Sequence, residues 1–162
     1  TMRKLRLEFN ALDGQATRRE LLLGFSNITT DAFDYGYEAK NTDNNHDDLN
    51  LLLDGEFMSI QSYGEITDDK VVPLALKTSG NNSYSIKLTE VDNIAEDQEV
   101  YLRDNLTDMY FNLRQDIAYT FTSEAGEFNE RFEIVFNGES LSTEEVTANN
   151  NTVIYYNNNI IN

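Results

Sequence analysis

Alternation of apolar and polar residues with a period of two runs through almost the whole chain and constrains its fold more than any other feature. The clearest apolar sets are Leu5, Leu7 and Phe9; Tyr84, Ile86 and Leu88; and Phe132, Ile134 and Phe136. Because successive side chains of a strand point to opposite faces, this pattern predicts strands with one buried face and one polar face. The sequence therefore predicts an all-β fold.

Nine or so short strands, separated by turn signals, are predicted between residues 3 and 137. The turn signals are Asp13-Gly14, Ser79-Gly80-Asn81-Asn82 and Asp104-Asn105. Many short strands at regular spacing are typical of antiparallel sandwiches, so we expect an antiparallel jelly-roll-like β-sandwich. Residues 26–56 are predicted to be mostly loop, and one helical turn at most is expected near residues 94–99.

The charge and the residue usage exclude several classes of function. The chain has 162 residues, a net charge of −17 and no cysteine. The absence of cysteine excludes thiol catalysis and disulfide bonds, and the negative charge argues against a nucleic-acid partner, which lysine and arginine would have to hold. No apolar run approaches the length of about 18 residues that a membrane span requires, so we expect no membrane insertion.

Two acidic loops carry the candidate metal ligands. The candidates are Asp31, Asp34 and Glu38 in the first loop and Asp43, Asn45 and Asp47 in the second. Calcium prefers carboxylate and amide oxygens, so one calcium ion in either loop is a hypothesis. The second loop is not an EF-hand, because Asp48 stands where that motif needs glycine. The alternative is that these side chains cap turns through their own backbone.

Catalytic residues are not apparent in the sequence. His46 is the only histidine, and it lies in an acidic loop rich in aspartate and asparagine, so a solvated loop histidine is expected. Without a second histidine or a cysteine, imidazole-rich zinc sites and Ser-His-Asp hydrolysis are disfavoured. No carboxylate pair stands out as a general acid and its partner. The chain is therefore expected not to be an enzyme.

Aromatic residues of the first acidic loop are the candidate ligand-binding groups. Tyr35 and Tyr37 share a face if that segment is extended, and sugar rings stack on exposed aromatic rings. A polysaccharide is therefore a possible partner, and a carbohydrate-binding module with a calcium-stabilised loop is one functional hypothesis. The alternative is that both rings pack into the core.

Three stretches of the sequence together resemble one family. They are residues 28–39 (ITTDAFDYGYEA), residues 72–77 (VPLALK), and the span from Tyr101-Leu102-Arg103-Asp104-Asn105 to Arg131-Phe132-Glu133-Ile134. They are similar to the β-sandwich domains that precede the C-terminal sorting domain in cargo proteins of the Bacteroidetes type IX secretion system. The resemblance implies structural roles for the matching positions Asp31, Phe33, Asp34, Gly36, Tyr37, Pro73, Asp104, Tyr119, Phe121, Gly126, Arg131 and Phe132.

The resemblance also implies a domain organisation and a location. Residues 1–140 would form the β-sandwich, and residues 141–162 would be a linker followed by the first strands of a truncated sorting domain. The protein would be secreted or held at the cell surface, with the type IX machinery as a partner through that sorting domain. It implies a non-catalytic domain of an adhesin-like or enzyme-associated protein, which spaces the sorting signal.

Overall fold

The computed structural model describes residues 2–13, 17–30, 39–41 and 45–138. These residues contain eleven strands and no α-helix, which confirms the all-β prediction; a single 3-10 helix spans Leu113–Gln115. The strands are β1 (Arg3–Ala11), β2 (Thr17–Phe25), β3 (Ala39–Lys40), β4 (Asp48–Leu53), β5 (Glu56–Tyr63), β6 (Val71–Thr78), β7 (Asn82–Asp92), β8 (Tyr101–Asp104), β9 (Met109–Asn112), β10 (Tyr119–Ser123) and β11 (Gly126–Val135).

The strands form one mixed sheet in the order β10-β7-β1-β2-β5-β4-β6-β11-β8-β9, with β3 paired to β5 outside that path. The expectation of a wholly antiparallel arrangement is wrong at one place, because β2 and β5 run parallel. Parallel neighbours require a long connection, and residues 26–55 provide it between these two strands. The start of β5 pairs with β4 and its end pairs with β2, so β5 joins the two halves of the sheet.

The sheet curves until it is nearly barrel-shaped. Its terminal strands, β9 and β10, meet through the rings of Phe111 and Tyr119, whose centroids lie 5.2 Å apart. Rings from opposite halves of the sheet also touch inside, as Phe25 and Phe136 do at 5.5 Å. The two-sheet jelly roll remains a prediction, since what the structure establishes is a curved all-β sheet of mixed strand orientation.

The predicted alternation places the core inside this curved sheet. The apolar sets named from the sequence are all buried, with relative exposures of 0–7% for Leu5, Leu7, Phe9, Tyr84, Ile86, Leu88, Phe132, Ile134 and Phe136. Aromatic pairs connect the strands: Phe9 stacks on Tyr84 of the paired strand β7 at 5.7 Å, and Phe121 of β10 meets Phe132 of β11, which is not its neighbour in the sheet, at 4.8 Å. Burial of each such large apolar side chain contributes roughly 1.5–3 kcal/mol to folding.

Two elements differ from the sequence prediction. The triplet Leu51–Leu53, which was expected within a loop, belongs to β4, where Leu51 is fully buried. β11 begins at Gly126, well before the alternating set of Phe132 and Ile134, because a bulge between Phe128 and Phe132 interrupts its alternation. No helix forms at residues 94–99, where the chain makes only a turn.

Candidate functional site

The structure describes only part of the predicted site. Of the candidate metal ligands, Asn45 and Asp47 are described; Asp31, Asp34, Glu38 and Asp43 lie outside the described residues, as do Tyr35 and Tyr37. Within the described ranges, no group of three or more histidine, cysteine, aspartate or glutamate residues is placed to hold a metal ion. The calcium site and the tyrosine site therefore stay predictions.

Asp47 is a buried carboxylate that holds the hairpin between β6 and β7. It is 5% exposed and accepts hydrogen bonds from the Ser79 backbone N–H at 2.8 Å, the Ser79 hydroxyl at 2.9 Å and the Tyr84 hydroxyl at 2.7 Å. Gly80, in that hairpin, has a φ of +122°, a conformation that favours glycine. The carboxylate thus serves the turn at Ser79, which lies 32 residues further along the chain.

These hydrogen bonds shift the pKa of both acidic groups. Burial alone would raise the pKa of Asp47, but the bonds from Tyr84 and Ser79 outweigh it and hold that pKa below its usual value. Burial, together with the bond to Asp47, raises the pKa of Tyr84 to about 12. The pair is therefore a neutral phenol donating to a carboxylate anion across the neutral pH range.

Asp48 forms an ion pair that is separate from the contacts of Asp47. Its two carboxylate oxygens accept hydrogen bonds from Nε and Nη2 of Arg19, each at 2.9 Å, in a bidentate arrangement. The side-chain amides of Asn41 and Asn45 lie 3.2 and 3.5 Å from Asp48 Oδ2. Asn45 thus contacts Asp48, the residue that the sequence analysis placed outside the set of ligands.

Asp104 and Arg131 form the most buried ion pair of the described residues. Arg131 donates from Nε to Oδ1 at 3.0 Å and from Nη2 to Oδ2 at 2.9 Å, and Tyr119 donates its hydroxyl to Oδ2 at 2.8 Å. The guanidinium also lies 4.9 Å from the ring of Phe121 and 4.8 Å from that of Phe132. All five residues are among the positions to which the resemblance assigned structural roles.

The deeply buried charges of the described residues are all engaged in internal contacts. Asp47, Asp48, Asp104 and Arg131 are at most 7% exposed, and each is held by the contacts above. The pKa of Asp104 is lowered, because the hydrogen bonds from Arg131 and Tyr119 outweigh the effect of burial. His46 is exposed, as expected for a solvated loop histidine.

A shallow groove on the outer side of β4, β6 and β11 was not found from the sequence. Its cavity volume is about 70 Å³. It is lined by Asn45, Asp48, Asn50, Phe57, Ala75, Leu76, Lys77, Glu127 and Asn129. The sequence signal that could have revealed this groove was Phe57. It precedes the inward-facing Met58, so its side chain is directed outward, and it is 36% exposed in the structure.

The fold and these contacts define the chain as a small all-β domain with a nearly closed sheet and buried internal ion pairs. Residues 1–136 match the family described as a domain of unknown function (DUF8693), and the chain belongs to that family. Neither a curated protein nor a solved structure matches the chain. No helix in the described part of the chain is long and apolar enough to cross a membrane.

Proposed function

We propose that the chain is a non-catalytic domain of a secreted or cell-surface protein exported by the type IX secretion system. In this proposal the curved sheet is a jelly-roll-like β-sandwich that adjoins and spaces the sorting signal. The observation that carries it is the cluster of Asp104, Tyr119 and Arg131, which unites positions of the family resemblance in one internal network. Internal pairing of this kind supports a structural role for these groups.

The surface charge also suits a domain of this kind. A net charge of −17 keeps a protein soluble and opposes adhesion to anionic surfaces. Several surface carboxylates are paired with arginines, as Glu65 is with Arg3 at 2.8 Å and Glu90 with Arg6 at 2.9 Å. A folded spacer needs a packed interior and a soluble exterior, and the buried pairs and the net charge support the proposal in these two respects.

Export is tested in the source bacterium by comparing the wild type with a strain whose type IX system is inactivated. Antibodies raised against residues 1–138 would follow the full-length protein in the medium, at the cell surface and inside the cell. The proposal expects the medium and surface signal to disappear in the inactivated strain, while a periplasmic marker shows that cells have not lysed. An unchanged distribution between the two strains would contradict export by this route.

A further inference from the structure

The groove beside Phe57 brings several polar side chains together. Some long charged side chains elsewhere on the sheet engage each other, as Arg18 does with Glu8 at 2.6 Å. In the groove, the side chains of Lys77, Glu127 and Asn129 make no hydrogen bond or ion pair with other described residues. Donors and acceptors therefore stand side by side in one concave place without being used by the protein.

Asn50 adds an amide donor to this set. The residue is 5% exposed, and its Oδ1 accepts a hydrogen bond from Asn41 at 2.6 Å. Asn50 lines the groove, and its Nδ2 makes no hydrogen bond within the described part of the chain. This N–H₂ group can therefore donate to an oxygen atom of a ligand in the groove.

The groove also has an apolar side. The ring of Phe57 is 36% exposed, and Ala75, opposite Asn50 in the register of β4 and β6, places only a methyl group between the polar side chains. An exposed aromatic ring beside a small residue offers a flat apolar surface. The combination of one aromatic face with a rim of amide, ammonium and carboxylate groups suits a ligand that has one apolar face and many hydroxyls.

The charges of the groove favour a neutral ligand. Lys77 would oppose a cation, and Glu127 would oppose an anion, while Asp48 is already neutralised by the bidentate contact with Arg19. The net charge of −17 further disfavours uronic or sulfated glycans. A sugar without charged substituents meets both the charge balance and the mixed apolar and polar lining.

We propose that this groove binds one neutral sugar residue of a glycan, with the sugar ring over Phe57 and its hydroxyls bonded to Asn50, Asn129, Lys77 and Glu127. The cavity of about 70 Å³ receives a hydroxymethyl group, and the sugar ring lies above it on the open side. The residues that line it do not include the predicted Tyr35 and Tyr37. It goes beyond the proposed spacer function and is measured on the isolated chain, so its failure would leave the export proposal intact.

The test is a titration of the ¹⁵N-labelled chain with neutral cello-, manno-, xylo- and galacto-oligosaccharides of four to six units. At least one series is expected to shift the side-chain amide signals of Asn50 and Asn129 in a saturable way. Phe57→Ala should weaken that binding about tenfold or more, a factor equivalent to about 1.4 kcal/mol. Val91→Ala, which alters an equally exposed apolar residue outside the groove, should leave the affinity unchanged.

A second variant keeps the test informative if Phe57→Ala does not fold. Asn129 is exposed, so Asn129→Ala should fold normally and still weaken binding several-fold. Circular dichroism and the melting temperature establish the fold of each variant. The proposal is overturned if no oligosaccharide shifts the two amide signals, or if folded Phe57→Ala and Asn129→Ala both bind as tightly as the wild type.

Discussion

Replacing Asp104 by asparagine should destabilise the protein strongly, because the substitution leaves the guanidinium of Arg131 buried without its counter-charge. Asp104 is 1% exposed and Arg131 is 7% exposed, and the two share a bidentate contact. Removing one partner of a buried pair costs about 3–5 kcal/mol. The asparagine N–H₂ group would also face one of the donors that now point at Asp104, from Arg131, Tyr119 or the backbone of Leu106.

The size of the effect is measured by urea unfolding at neutral pH. A loss of about 3–5 kcal/mol corresponds to a fall in melting temperature of roughly 10–20 °C for a domain of this size. Glu65→Gln is the matched control, since it removes one carboxylate from the exposed pair with Arg3, whose side chains are 43% and 46% exposed. Exposed pairs contribute about 0–1 kcal/mol, so this control should change stability little.

The pH dependence of stability gives an independent reading of the same pair. The pKa of Asp104 is lowered below its reference value of 3.8, so its contribution is present above pH 3.8 and is lost as the pH falls through the folded-state pKa. Asp104→Asn should flatten the acid side of the stability curve in that window. If Asp104→Asn and Glu65→Gln differ by less than about 0.5 kcal/mol, our reasoning about the buried pair is refuted.

Three further outcomes are expected. Phe132→Ala should lower the free energy of unfolding by about 3–5 kcal/mol, because the ring is 1% exposed. Leu106→Ala, at a side chain that is 72% exposed, should cause no such loss, and equal losses in the two variants would count against the assignment of Phe132 to the core. The protonated phenol of Tyr84 contributes stability that is fully present below pH 10 and is lost as the pH rises through about 12. Tyr84→Phe should therefore reduce the fall of the melting temperature with pH in this range, and an unchanged fall would contradict the raised pKa of Tyr84. If calcium binds in loops 31–38 or 43–48, millimolar calcium should raise the melting temperature and a chelator should reverse the rise; no movement would argue against the ion.

The elements that the sequence revealed are those with one-sided burial. In β1 and β7, every second side chain enters the core, so the alternation is visible directly in the residue types. The hairpin between β6 and β7 was equally visible, since Gly80 and Asn81 supply the positive φ that the turn requires. Local chemistry determines such features, and a single sequence is enough to predict them.

The elements that were missed depend on partners far away in the chain. β4 looks like loop because its outward residues, Asp48 and Asn50, are polar, yet Arg19 and Asn41 cover them and make them as buried as its leucines. The parallel pairing of β2 with β5 leaves no local pattern, because both strands would alternate in the same way beside any neighbour. Long-range packing decides these features, and alternation alone does not report it.

The groove was hidden for a similar reason. Its lining comes from β4, β5, β6 and β11, which lie next to each other only after the sheet has formed. Taken separately, Asn50, Lys77 and Asn129 are ordinary polar residues at outward positions of strands. Only the structure shows that they converge beside one exposed ring and that their polar groups are not paired with each other.

Aspartates and asparagines of a loop can bind a metal ion or make contacts that stabilise the fold, and the sequence alone does not separate these two roles in the acidic loop. Asp43, Asn45, Asp47 and Asp48 suggest an oxygen-rich metal loop, but Asp47 binds the Ser79 turn and Tyr84, while Asp48 binds Arg19. A calcium ion bound by Asp47 would have to compete with three donors already placed on Oδ1. Any calcium held by this loop would therefore bind without displacing Asp47, or would loosen the hairpin between β6 and β7, a change that hydrogen exchange at Ser79 would detect.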